Sequence, residues 1–153
     1  MAQKKGTVRN FLDFQTLPIL SMNKQYIIIV DDDADDREII KYACTDTIKD
    51  HEYVFLEDGE KLLEYMHQYQ NETRPSLIIL DLNMPGKDGK QILSELKSDE
   101  RYRPIPIIIL TTSSSENDKT ASYNLGANCF ITKPDTFDNM VQLIKAIAKL
   151  WLQ

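Results

Sequence analysis

Three continuous apolar runs, Tyr26–Val30, Leu77–Leu80 and Ile105–Leu110, constrain this chain more than any other feature. A strand with one wet face alternates apolar and polar residues. An unbroken run needs cover on both faces, the condition of a strand inside a parallel sheet. A fourth run, Cys129–Ile131, and a weaker one, Tyr53–Leu56, complete a set of five. Between them apolar residues recur at helical spacing: Ile39, Ile40, Tyr42 and Ala43; Leu62, Leu63 and Met66; Ile92, Leu93 and Leu96. A fourth helix is expected over about 115–125, where Ser115 and Asp118 resemble a capping box and Gly126 suits the C′ position. A fifth is expected over about 135–152. Five strands alternating with five helices predict an α/β doubly wound domain, and right-handed crossovers favour the strand order 2-1-3-4-5.

Composition narrows the function. The 153 residues suffice for one domain, and 18 Lys+Arg against 24 Asp+Glu leave a net charge of −6. That sign argues against a nucleic-acid partner, whose phosphates call for a basic face. No stretch approaches the ~20 apolar residues of a membrane helix, so a cytoplasmic protein is expected. Cys44 and Cys129 lack metal or redox spacing and read as free thiols of a reducing compartment. Residues 1–23 carry Lys4, Lys5 and Arg9 ahead of an interrupted apolar stretch. They read as a tail outside the fold, without the features of a signal peptide.

In a parallel sheet all strands end at one edge, so the residues after each run are neighbours in space. Strand one ends in Asp31-Asp32-Asp33, strand three in Asp81, strand four in Thr111-Thr112 and strand five in Thr132-Lys133-Pro134. Strands one and three flank the switch point where a crevice opens. Carboxylates gathered there repel unless they are protonated or share a hard cation. Mg²⁺ suits them: Asp32 and Asp81 would be direct ligands, and Asp31 would act directly or through water. With Lys133 and a Thr hydroxyl beside it, such a site stabilises the oxygens of a phosphoryl group in transfer. Asp81, central in the cluster, is the candidate nucleophile of an aspartyl-phosphate.

Each residue alone has an ordinary alternative. In 31–36 five of six residues are Asp; Asp33, Asp35 and Asp36 read as caps and dipole partners of the first helix. Asp81 alone could end a strand in a turn, Thr111 could be a β-branched strand residue, and Lys133 a solvated charge. Their arrival at one edge is what points to chemistry.

At these residues the chain resembles the receiver domain of two-component response regulators, the CheY-like variant of the flavodoxin-like fold. The matching pieces are Val30-Asp31-Asp32-Asp33, Asp58-Gly59, Leu80 through Gly89, Ile109 through Ser113, Leu125 through Asn128, and Phe130-Ile131-Thr132-Lys133-Pro134. The resemblance covers residues 23 to about 152, so a receiver domain over 24–153 is expected. It implies that Asp81 takes a phosphoryl group from the phosphohistidine of a sensor histidine kinase. Asp31 and Asp32 form the acidic pair, and Asp32, Asp81 and the backbone carbonyl of Asn83 hold Mg²⁺. Lys133 pairs with phosphoryl oxygens, Thr111 is the switch hydroxyl, and Phe130 is the switch aromatic. Pro134 follows a bond that is often cis in this family. Two positions depart from the common pattern. Phe130 lacks the hydroxyl of the usual Tyr, so switching there works by ring burial. Thr112 is bulkier than the frequent Ala and narrows access to the phosphoryl group.

The resemblance extends to small stand-alone regulators that accompany phytochrome-type kinases. It implies self-catalysed phosphorylation and dephosphorylation without turnover of an outside substrate, hence no enzyme in the usual sense. No output domain is expected after Gln153, so signalling would run through a downstream protein contact or onward phosphotransfer. The competing reading is a receiver-like interaction module that works without phosphorylation; a complete acid, Thr and Lys set argues against it. A phosphohydrolase with Asp-x-Asp spacing and a flavin-binding fold-mate fit less well. On the fifth helix Phe137, Val141, Ile144 and Ala148 form a core stripe, while Leu143 and Leu150 widen the apolar arc beyond what one-sided packing needs. That width suggests a homodimer through this helix. His51 and His67 lack metal spacing and read as surface residues.

Overall fold

The structure is a computed structural model that describes residues 11–12, 25–47 and 51–152. Its strands are β1 (Phe11–Leu12), β2 (Tyr26–Val30), β3 (Glu52–Leu56), β4 (Leu77–Leu80), β5 (Ile107–Thr111) and β6 (Cys129–Thr132). Its helices are α1 (Ala34–Thr47), α2 (Gly59–Gln68), α3 (Gly89–Ser98), α4 (Glu116–Asn124) and α5 (Phe137–Trp151). All pairings are parallel, in the order β1-β3-β2-β4-β5-β6. The five expected strands therefore lie in the 2-1-3-4-5 order.

The sixth strand is a correction at the N-terminus. Phe11 and Leu12, expected outside the fold, pair with Tyr53 and Val54 on the open edge of β3; the rest of residues 1–23 lies outside the described residues. The Ile105–Leu110 run also shifts. Pro106 has no N–H to donate, so the ladder starts at Ile107 and runs through Thr111.

The unbroken runs are covered on both faces. Ile28 and Val30 of β2 point into a core built with α2 and α3, including Leu62, Ile92, Leu93 and Leu96. Ile27 and Ile29 point the other way, against Ile40, Ala43 and Cys44 of α1 and Met140, Ile144 and Ile147 of α5. Side chains alternate across a strand, so one apolar run serves two cores.

Helix starts follow local chemistry. Asp58 caps α2 by accepting the Lys61 N–H at 2.8 Å. Asp88 and Gln91 exchange both bonds of a capping box at α3. On α4 only half of the expected box forms. Ser115 accepts from the Asp118 N–H, while the Asp118 carboxylate turns to Lys90 and to the Ser113 hydroxyl. Gly126 takes the left-handed conformation at φ +105° that ends this helix.

The α5 stripe needs revision. Met140, Val141, Ile144, Ile147 and Ala148 are buried, but Phe137 is 46% exposed. Its ring lies 5.2 Å from that of Tyr42, because the first turn of α5 sits beside α1. Leu143 packs against its own core, which leaves Leu150 exposed without its expected neighbour in an apolar surface. The Cys44 thiol is buried and pushed up to about 12 by that burial.

Two buried phenols make the fold sensitive to alkali. Tyr26 donates its hydroxyl to the Thr73 carbonyl at 2.8 Å; burial foremost pushes it from 10.0 to about 12, against a lowering contact with Tyr65. Burial pushes Tyr65 up as well. A phenol held above its unfolded value stabilises fully below pH 10.0 and loses that contribution as pH rises toward 12. Urea stability is therefore expected to drop across this window, with part of the phenolate absorbance at 295 nm appearing only on unfolding. Tyr26→Phe should flatten the drop; an unchanged slope would count against this assignment.

Candidate functional site

The strand ends bring the predicted residues together. The ladder runs one residue beyond the strands: the Asp31 N–H donates to the Leu56 carbonyl at 3.1 Å and the Asp81 N–H to the Val30 carbonyl at 3.0 Å. Both carboxylates thus start from fixed backbone. Asp31 and Asp81 are buried at 2% and 4% exposure, whereas Asp32 is exposed. Ligand atoms from Asp31, Asp32 and Asp81 all lie within 4.8 Å of one another. On the far side β5 and β6 pair Thr111 with Thr132, and the Lys133 N–H donates to the Thr111 carbonyl at 2.6 Å. That register sends the Lys133 side chain, 6% exposed, into the acidic group.

The Lys133 ammonium lies 2.7 Å from Asp31 Oδ2, 2.7 Å from Asp36 Oδ2 and 3.3 Å from Asp81 Oδ2. Burial disfavours its charge, but the bonds to Asp31 and Asp36 and the fields of Asp81 and Asp31 outweigh this and hold it above its ordinary range. Burial also pushes Asp31 from 3.8 to about 6; the Lys133 bond and the Asp33 N–H restrain that rise, and the charge of Asp81 adds to it.

Asp36 is the residue missed at the sequence level. Asp33 does cap α1, its Oδ1 accepting the N–H groups of Asp35 and Asp36, but Asp36 itself reaches Lys133. The available signal was helical spacing: Asp36 lies four residues before Ile40 and seven before Ala43, both buried, so its side chain leaves the helix on the core face.

Asn83 and the threonines form the other wall. The Asn83 N–H donates to Asp81 Oδ1 at 3.2 Å. Its side-chain amide donates to Thr111 Oγ1 and Thr112 Oγ1, each at 3.3 Å. Thr111 is fully buried and its hydroxyl also accepts the Ser113 N–H at 3.4 Å; Thr112 is exposed. Phe130 lies farther off, half-buried against the α2/α3 core, with its N–H donating to the Tyr123 hydroxyl at 3.0 Å. Peptide bonds among the described residues are trans. The Lys133–Pro134 bond is one of them, a correction to the cis form implied by resemblance, and trans is the lower-energy isomer of an X–Pro bond. His51 bonds Gln25 and His67 lies exposed near the end of α2, both away from this edge.

The donor chemistry fits a hard divalent cation. Three carboxylates, two of them buried, supply only oxygen, and the exposed third leaves a water-accessible side for ligands that stay hydrated. Among the described residues no helix is long and apolar enough to cross a membrane.

Known proteins share this fold and much of this sequence. The model of the response regulator receiver domain matches residues 27–145. Response regulator Rcp1 of Synechocystis sp. is 38% identical over 133 residues, covering 85% of this chain and 90% of its own length. Among solved structures, the phosphorylated cyanobacterial phytochrome response regulator RcpA superposes with a TM-score of 0.80 at 39% identity, over 85% of this chain and 95% of that one. The Mn²⁺-bound form of response regulator Rcp1 gives 0.78 at 36% identity, over 84% and 95%. A doubly wound sheet, its acidic edge and a family match over most of the length lead to one conclusion: the chain belongs to the response regulator receiver domain family of two-component signalling.

Proposed function

We propose that Asp81 is the phosphoacceptor of this receiver domain and that its donor is a phosphohistidine of a sensor histidine kinase, of the phytochrome type in view of the relatives' names. A carboxylate oxygen of Asp81 forms the new P–O bond while the P–N bond to imidazole breaks, and the electron pair leaves on the ring nitrogen. Lys133 stabilises charge on the phosphoryl oxygens. Thr111 supplies a hydroxyl whose oxygen accepts from Asn83 and Ser113 and whose O–H can donate to a phosphoryl oxygen. Asp31, Asp32, Asp81 and the Asn83 carbonyl would hold Mg²⁺, which would supply positive charge against the carboxylates and the incoming phosphate. Thr112 borders the entry and Phe130 reads the shift of Thr111 by burying its ring. The domain accepts and loses the phosphoryl group without turning over a separate substrate, and it signals in the cytoplasm through a protein contact.

One observation carries this reading: a buried ammonium within 3.3 Å of a buried carboxylate at the edge where two further acids converge. Incubation with acetyl phosphate and Mg²⁺, followed by intact mass measurement, is expected to add one phosphoryl group. Asp81→Asn should abolish that gain, and EDTA should prevent it. Wild-type protein that stays unmodified would point to a phosphorylation-independent interaction module.

A further inference from the structure

The Lys133 ammonium has three N–H groups, and three carboxylates face it: Asp31, Asp36 and Asp81. The set is saturated. For Lys133 to bond a phosphoryl oxygen, one carboxylate must be released. Asp31 is the costly one to release, since its side chain is 3% exposed and no water can replace the Lys133 bond at Oδ2, whatever part of its charge a bound cation offsets. Asp81 is the acceptor itself. Asp36 is 23% exposed and stands on the first turn of α1, where water can solvate it and the helix N-terminus favours its charge.

We infer that Asp36 is a positioning residue that holds Lys133 in the unphosphorylated protein and is the partner exchanged for the phosphoryl group. The inference rests on Asp81 being the phosphoacceptor. Asp36 then works against phosphorylation, because its bond to Lys133 is made before transfer and broken after it. Interactions stronger in the ground state than in the transition state slow a reaction. Asp36→Asn removes the charged competitor and leaves an ammonium N–H available.

The test compares rates of phosphorylation by acetyl phosphate and rates of phosphoryl loss, read by intact mass. Asp36→Asn is expected to phosphorylate roughly three- to tenfold faster and to hold the group longer, the size of one ordinary net hydrogen bond, as suits a partner that water can partly replace. Asp35→Asn is the control for charge. It removes the same negative charge one residue away, with no Lys133 contact, so a general gain in attraction for an anionic donor would appear there too. Asp36→Glu keeps the charge and should restore wild-type rates. Thermal midpoints of all variants, expected within a few degrees of wild type, separate a positioning role from a folding defect. Equal rates for Asp36→Asn and wild type, or equal acceleration by Asp35→Asn, would overturn the inference while leaving Asp81 in place. A wild-type protein that takes up no phosphoryl group would overturn both.

Discussion

Lys133→Met is expected to destabilise the metal-free protein by about 3 kcal/mol at pH 8, in the range for breaking a buried ion pair, and to slow phosphorylation by acetyl phosphate ~100-fold. Methionine keeps most of the apolar stem, so the loss isolates the charge. What remains is Asp31 and Asp81, both nearly inaccessible to water, beside Asp36 with no ammonium between them. Burial already pushes Asp31 to about 6, and the bond from Lys133 is the foremost influence that restrains it. Without Lys133, Asp31 takes up its proton at still higher pH. A carboxyl whose folded pKa lies above its unfolded value of 3.8 favours folding when protonated; that contribution is complete below 3.8 and is lost as pH rises through about 6. The deficit of Lys133→Met should accordingly be largest at pH 8 and narrow toward pH 5.5. Urea unfolding in EDTA at the two pH values measures this. Millimolar Mg²⁺ at pH 8 should recover part of the loss, since a cation bound by the folded state stabilises it by mass action. A deficit below ~1 kcal/mol at pH 8 would mean that the ammonium does not hold the acids together, because it would then resemble an ordinary surface pair.

Much of this site is legible in the sequence, and the reasons are physical. Continuous apolar runs identify two-sided strands, and strands of a parallel sheet end together, so Asp31, Asp81, Thr111 and Lys133 converge by topology alone. What escaped depends on reach or register. Asp36 sits in a run where five of six residues are Asp, and composition there hides direction; only the helical phase shared with Ile40 and Ala43 separates it from the cap Asp33. Phe11 and Leu12 lack periodicity, and their pairing with Tyr53 and Val54 is a long-range choice that no local signal specifies. Phe137 has the right helical angle for the core, but angle does not say where along its axis a helix leaves the sheet. Its ring meets Tyr42 instead. Asp118 has the spacing of a capping box, yet Lys90 and Ser113 offer its carboxylate charged and hydroxyl partners that a backbone N–H does not outcompete.

The largest purely steric effect is expected at Gly89. A Cβ there would stand 2.3 Å from the Asp81 carbonyl oxygen and 2.7 Å from Leu82 Cα. Both are backbone atoms, so no rotamer change relieves the overlap. They are also held in place, since the Asp81 N–H is bonded to Val30 and the Gly89 N–H to the Leu82 carbonyl at 2.9 Å. Glycine is required by this close approach of α3 to the end of β4, with no need of an unusual φ. Gly59 gives the contrast. Its added Cβ would meet Ile92 Cγ1 at 2.4 Å and Cδ1 at 2.6 Å, with the nearest backbone atom, the Lys87 carbonyl oxygen, at 3.3 Å. The buried, β-branched Ile92 must shift within the core, which is stiff but easier than moving two backbone segments. Gly89→Ala is therefore expected to lose about 3 kcal/mol, the upper end for overpacking, and Gly59→Ala about 2 kcal/mol, the middle of that range. The two should differ more in chemistry than in stability. Relief at Gly89 means moving the segment that carries Asp81 away from Lys133 and Asp31, and a displacement of about 1 Å suffices for a ~100-fold loss of rate. Relief at Gly59 shifts Ile92 inside the α2/α3 core and leaves the acidic edge alone. Urea unfolding and acetyl phosphate kinetics on both variants decide the matter. If Gly59→Ala proves the more damaging in either measurement, the contact between α3 and β4 is looser than its geometry requires.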